Sequence, residues 1–266
     1  MSARRRGTFP ALVLGALAVA GPCVGAGLSV GAGSTMNFAD AVVSLGCGDL
    51  SVVGQANATS ATIASVANVG IAAGGTLAPD AGSIALGGKF SDAGVFVPGT
   101  SRIGIVDACG NGSSVVTGAT NFYDLIVSTA SGKALVLPAS LTQGIKHTLV
   151  LSGAPGNLLR VTSSSAGQRA FLDVATGAAQ AIAYVDARDN GATGAKIAPG
   201  TAASYRSLDS GNLFNWFADA ATGMGGVVPA PLPGRMGLLL LVLLLAAVAW
   251  RPAACSCRTT DGFIVR

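Results

Sequence analysis

Not one glutamate occurs among the 266 residues, and lysine appears only four times. A surface helix sets a polar face of Glu, Lys and Gln against its apolar stripe, and this chain lacks the residues to build one. Gly, Ala, Ser, Thr, Val and Asp abound instead. β-Branched residues suit a pleated surface, while Gly, Asp, Asn and Ser suit turns. The composition therefore predicts an all-β body made of short strands and tight turns.

The spacing of the runs supports this. Apolar or alternating segments of strand length, such as RIGIVD (102–107), KALVLPA (133–139) and HTLVLSG (147–153), are each followed by Gly, Asn, Asp, Ser or Pro. The breaks recur roughly every ten residues, a period that either an antiparallel sandwich or a β-solenoid accepts. Three features favour the solenoid. Asn-Gly dipeptides are confined to Asn111-Gly112 and Asn190-Gly191. The apolar residues are mostly small or β-branched, which suits like-on-like stacking. Aromatic anchors of the kind a sandwich core uses are few.

Both ends read as targeting material. Residues 1–26 have the form of a secretory signal peptide: Arg4, Arg5 and Arg6, then the apolar stretch ALVLGALAVA (11–20), then Val24-Gly25-Ala26 for cleavage. That stretch is too short for a transmembrane span. Met236 to Trp250 is a second apolar run, rich in Leu and Ala. As a helix it rises about 22 Å, short of the ~30 Å hydrocarbon core. The expected layout is a signal peptide (1–26), a β-helix domain (27–222), a Gly/Pro linker (223–235), a hydrophobic helix (236–251) and a tail (252–266). The formal charge of +4 comes from the ends, because nine Lys and Arg face eleven Asp between 27 and 228. No basic stripe with interleaved aromatics is present, which excludes nucleic acid as an expected partner.

Of the five cysteines, Cys23 lies in the signal peptide and Cys255 and Cys257 in the tail. Cys47 and Cys109 sit in turn-like contexts, LGCGDL and DACGNG. Export favours a disulfide between them over two separate buried thiols.

The segment from Cys47 to Phe217 resembles bacterial surface proteins of the filamentous-haemagglutinin or autotransporter-adhesin type. The matching stretches run in order: NVGIAAGGTLAPDAGSIALGGKFSDAGVFVPGTSRIGIVD (68–107), TNFYDLIVSTASGKALVLPA (120–139), TLVLSGAPGNLLRVTSSSAGQRAFLDVATGAAQAIAYVDARDN (148–190) and SLDSGNLFNWFADA (207–220). The resemblance implies a right-handed parallel β-helix outside the cytoplasm. Such a helix needs a cap at each end. Residues 27–48 are expected to form the first, and residues 205–220, with Phe214, Trp216 and Phe217, the second. VVPAPLPGRMGLLLLVLLLAAVAWR (227–251) is similar to the C-terminal sorting domains of Gram-negative bacteria, the PEP-CTERM and IPTL-CTERM type. That resemblance implies a precursor held at the inner membrane by residues 236–251 until a sorting peptidase cuts it. Pro229, Pro231 and Arg251 carry the match. Ala230 stands where the family has an acidic residue, and the chain continues past Arg251.

Candidates for chemistry are sparse. Glycoside cleavage needs two convergent carboxylates, and Asp186 and Asp189 in YVDARDN are the pair close in sequence. A turn-shaping role is their expected one. His147, the single histidine, follows Lys146 at the start of a strand, and no G-x-S-x-G elbow accompanies it. Asp107 to Asn111 and Asp189-Asn190-Gly191 offer oxygen ligands for calcium without the GGxGxD array of calcium-binding solenoids. No cofactor is expected. The function expected is that of an exported, non-enzymatic structural or adhesive protein of the cell envelope or extracellular space, with a polysaccharide or surface ligand. The alternative is a polysaccharide-active enzyme using Asp186 and Asp189.

Overall fold

The computed structural model describes residues 27–217. The expected signal peptide (1–26), residues 218–222, the linker with Pro229 and Pro231, the hydrophobic helix with Arg251, and the tail lie outside the described residues. Twenty strands follow in chain order. The first nine are β1 (Leu28–Val30), β2 (Thr35–Asn37), β3 (Val42–Val52), β4 (Gln55–Asn57), β5 (Thr62–Ile71), β6 (Thr76–Ala78), β7 (Ser83–Leu86), β8 (Phe90–Asp92) and β9 (Val95–Phe96). Then come β10 (Arg102–Ile105), β11 (Ser113–Thr117), β12 (Asn121–Ser128), β13 (Ala134–Leu137), β14 (Thr142–Ser152) and β15 (Leu159–Ser163). The last are β16 (Ala170–Val174), β17 (Ala179–Ala183), β18 (Val185–Ala187), β19 (Asn190–Ala192) and β20 (Leu208–Asp209).

Every strand pair is parallel, and a strand pairs with the strand one turn further on, not with its chain neighbour. The result is a β-solenoid of about eight turns. In the N-terminal half each turn has three sides. One is the column β2-β4-β6-β9. The second runs through the first halves of β3 and β5 to β7, β10 and β12. The third runs from β1 through the second halves of β3 and β5 to β8 and β11. β11 then hands the third side on to β13, β15, β18 and β20. Side-chain hydrogen bonds between neighbouring turns join residues such as Asn68 and Asp49, 19 apart, and Thr120 and Asp92, 28 apart.

The period-2 pattern now has a physical meaning. In β10 the burial alternates, with Ile103 and Ile105 inside and Arg102 out. Parallel register places each inward residue on its equivalent in the next turn. Ile63, Ile84, Ile103, Leu125 and Leu149 form one continuous aliphatic column. Leu86, Ile105, Val127, Leu151 and Ile182 form a second. Burying each such side chain contributes about 1.5–3 kcal/mol. Within the coil the Phe90, Phe96 and Phe122 rings meet at centroid distances of 5.3 to 5.8 Å.

The two expected caps differ in outcome. Residues 27–48 are not a cap: Leu28 and Val30 of β1 stack on Leu50 and Val52 of β3, as in any inner turn. Their LSV alternation is the same signal that makes every other rung. At the other end the chain does change character, with a short 3₁₀ helix at Ala202–Tyr205 before β20. Trp216 and Phe217 are buried there with rings 5.8 Å apart, and Tyr205 lies beside Phe217. Phe214 is 49% exposed and takes no part in that closure. Asn190-Gly191 is a strand, not a hairpin turn.

Cys47 and Cys109 form a disulfide. Both residues have positive φ, 68° and 57°, at corners of the coil. β3 and β10 are three ladder steps apart, with β5 and β7 between them. Three steps amount to about 14 Å at the usual strand spacing. The two Cα atoms are nevertheless 5.3 Å apart. The loop after β10 therefore lies back over the corners of the intervening turns. Gly87 and Gly88 make room for it. A Cβ on Gly87 would stand 2.2 Å from the Ala108 carbonyl oxygen, and one on Gly88 would meet the Asn111 amide at 3.0 Å.

The bond closes a segment with a sequence separation of 62, worth about 4 kcal/mol of unfolded-state entropy. Replacing both cysteines by serine is expected to lower unfolding free energy by that amount. A denaturant titration with and without reductant checks it. Equal midpoints for the variant and the oxidised wild type would show that the staple contributes nothing.

Candidate functional site

The carboxylates singled out from the sequence sit one strand and one corner apart. Asp186 lies in β18, and its Oδ1 accepts from the Ser210 hydroxyl. Asp189 follows at the corner with φ 52° and is buried. It accepts from the Asn212 amide at 2.7 Å and from the Gly167 backbone N–H at 3.1 Å, with Arg188 at 3.6 Å. The Asn212 hydrogen bond, followed by that from Gly167, holds the Asp189 carboxyl below the usual carboxylate value, against the opposing effect of burial. The two groups therefore answer to different partners: Asp186 ties β18 to the next turn, and Asp189 ties together three corners.

Register brings together a set that sequence distance conceals. Asp124 and His147 are 23 residues apart, one turn of the coil, and Asp124 Oδ1 lies 2.8 Å from His147 Nδ1. The Tyr123 ring stacks on the imidazole at 4.7 Å and 16°. Thr148 Oγ1 also reaches Nδ1, at 3.0 Å, and Arg102 approaches Asp124 from the preceding turn at 4.0 Å. A carboxylate on Nδ1 orients an imidazole so that Nε2 faces outward. Both hydrogen bonds to this imidazole address Nδ1. The signal in the sequence was the pair Tyr123-Asp124, which becomes readable only once the register DLIV on TLVL is known.

A third arrangement lies beneath the disulfide loop. Lys133 is 1% exposed, and its ammonium donates to the Gly87 carbonyl and to Ser114 Oγ. Ser114, also buried, donates to the same carbonyl at 2.9 Å. Burial pushes the Lys133 pKa below its usual 10.5, and the nearby Asp107 charge opposes this. Asp107 accepts from the backbone N–H groups of Ala130 and Ser131 at 2.7 and 3.0 Å. Burial pushes its carboxyl up, and these bonds with that from Thr129 outweigh it, leaving Asp107 below 3.8. Asp107 Oδ2, one of the oxygens considered for calcium in Asp107–Asn111, is thus engaged on protein donors. Among the described residues no group of three or more His, Cys, Asp or Glu gathers around a metal-sized space.

A shallow groove runs along one corner. Asn37, Asn57, Thr59, Asp80 and Gly99 line it with Ala58, Ala78 and Val97. Asn37, Asn57 and Ala78 are stacked in register on β2, β4 and β6, so the groove follows the coil axis. Amide, hydroxyl and carboxylate groups set along an axis can hydrogen-bond an extended ligand. Comparison with protein families, with curated proteins and with solved structures finds no match for this chain.

Lys133 offers a direct check of the corner. A lysine whose folded pKa lies below its unfolded value destabilises the fold as a cation. Stability should therefore rise with pH from the folded pKa up to 10.5 and be flat beyond. Unfolding titrations across that window are expected to show the rise in the wild type and not in Lys133→Met, in which Ser114 still satisfies Gly87. An identical pH profile in both would remove the buried cation from the account.

Proposed function

We propose that the chain is an exported structural or adhesive protein of the cell envelope or extracellular space, built as a right-handed parallel β-helix. The observation that carries this reading is the Cys47–Cys109 disulfide. It clamps three ladder steps through a loop seated on Gly87 and Gly88, and such a bond forms and lasts in an oxidising compartment. Right-handedness follows from the general preference of crossovers between parallel strands. The signal-like residues 1–26 and the apolar run 236–251 supply a route in accord with this. The first directs export, and the second holds the precursor at the inner membrane until a sorting peptidase acts near Pro229–Gly234.

The adhesive part of the proposal rests on the axial groove. Its polar, open lining along the axis suits an extended polysaccharide better than a compact small molecule, which binds in a deep apolar pocket. Asn57 and Asp80 stand on successive turns of that lining and would supply the amide and carboxylate contacts to sugar hydroxyls.

Fractionation of the producing cell, followed by intact mass of the protein from membrane and medium, tests the route. A disulfide-bonded species that begins near residue 27, and in the medium ends near 229–234, is the expected result. A reduced full-length chain in the cytosol overturns it. Binding to an array of bacterial envelope polysaccharides tests the groove: Asn57→Ala with Asp80→Ala is expected to weaken binding at least tenfold, equivalent to about 1.4 kcal/mol. Unchanged binding by the double variant would place any ligand elsewhere.

A further inference from the structure

Three polar side chains from three successive turns meet inside the coil at one corner. Asp92 ends β8, Thr120 sits just before β12, and Gln143 belongs to β14. Thr120 is 2% exposed and Gln143 0%. The Thr120 hydroxyl donates to Asp92 Oδ2 at 2.9 Å. The Thr120 backbone N–H donates to Gln143 Oε1 at 3.1 Å. Gln143 Nε2 donates to the Gly118 carbonyl at 2.8 Å. The other carboxylate oxygen of Asp92, Oδ1, is buried and has no hydrogen-bond partner.

Each contact has a chemical counterpart. A carboxylate that accepts from a hydroxyl is placed to take its proton and raise its nucleophilicity. A backbone N–H on a carboxamide oxygen polarises the carbonyl and stabilises the oxyanion formed on attack. A carbonyl accepting from Nε2 fixes which face of the amide is presented. Here one residue, Thr120, brings both the hydroxyl, set on Asp92, and the N–H, set on the Gln143 carboxamide oxygen. Thr120 and Gln143 are themselves buried, which protects an acyl product from hydrolysis. The buried, unpartnered Oδ1 marks Asp92 as a carboxylate that the resting network does not fully satisfy, a cost of about 1–3 kcal/mol that structural need alone leaves unexplained.

We propose that Thr120 and Gln143 form an intramolecular ester cross-link, with Asp92 as the base. Thr120 Oγ1 attacks Gln143 Cδ and passes its proton to Asp92. The tetrahedral oxyanion on Oε1 is held by the Thr120 N–H. Collapse re-forms the carbonyl and breaks the Cδ–Nε2 bond. The nitrogen takes the proton carried by Asp92 and leaves as ammonia. One hydroxyl and one carboxamide become one ester and one ammonia, with no change in oxidation state and no co-reactant.

The product joins the corners of adjacent turns by a covalent bond, a turn beyond the loop that the Cys47–Cys109 disulfide holds. Such a bond does not depend on the redox state of the surroundings. The ester therefore survives reduction that opens the disulfide.

Mass spectrometry of the full chain decides the matter. After reduction, alkylation and trypsin cleavage at Arg102, Lys133 and Lys146, Thr120 falls in peptide 103–133 and Gln143 in peptide 134–146. The expected result is a single species equal to the two peptides less one ammonia, which hydroxylamine splits. Asp92→Asn is expected to yield the two linear peptides while retaining the Cys47–Cys109 disulfide, which shows that it has folded. Two linear peptides of unmodified mass from the wild type overturn the proposal. A cross-link that persists undiminished in Asp92→Asn overturns the role given to Asp92.

Discussion

Parallel in-register stacking of identical side-chain types is the constraint on which everything else in this molecule depends. An Ile or Leu pointing inward finds the same kind of residue about 4.8 Å above and below it, so no two sheets have to be fitted to each other. That geometry accepts small and β-branched residues and needs few large anchors. It also explains why a chain without glutamate and nearly without lysine folds: each turn buries its inward alternation against the next, and polar helix faces are not required. The aromatic cluster of Phe90, Phe96 and Phe122 draws one ring from each side of the coil and fills the space between them.

The same stacking sets where chemistry can arise. Residues one turn apart become neighbours, so pairs separated by some twenty positions meet while pairs two or three apart diverge. Asp186 and Asp189, close in sequence, are taken up by separate partners. Asp124 and His147, far apart in sequence, are in contact. The corner that gathers Asp92, Thr120 and Gln143 draws on three turns. Stacking also produces the Asn37–Asn57 row that lines the axial groove.

The strand alternation, the all-β class and the cysteine pair were legible in the residues, because each depends on local pattern. Ile103-Gly104-Ile105 reads as an inward-outward-inward strand without knowledge of its neighbours. Register was not legible, because nothing in DLIV or TLVL says which turn lies above which. The sites that depend on register, at His147 and at Lys133, were therefore hidden. Lys133 in particular follows a Ser-Gly pair and looks like an ordinary turn lysine, yet it is buried with its ammonium on Gly87 and Ser114. The expectation of an N-terminal cap at 27–48 failed for a related reason: a rung at the end of a solenoid has the same local pattern as one in the middle.

The staple between Cys47 and Cys109 has a mechanical consequence. A solenoid under axial load can unspool from its ends one turn at a time, since each turn is held only by its neighbours. Here the chain between the two cysteines is a closed ring with a sequence separation of 62. Tension applied to the two termini passes through the sulfur bridge and around that ring. The turns inside it contribute no slack, and a solenoid built this way keeps the turns between Cys47 and Cys109 wound while its ends give.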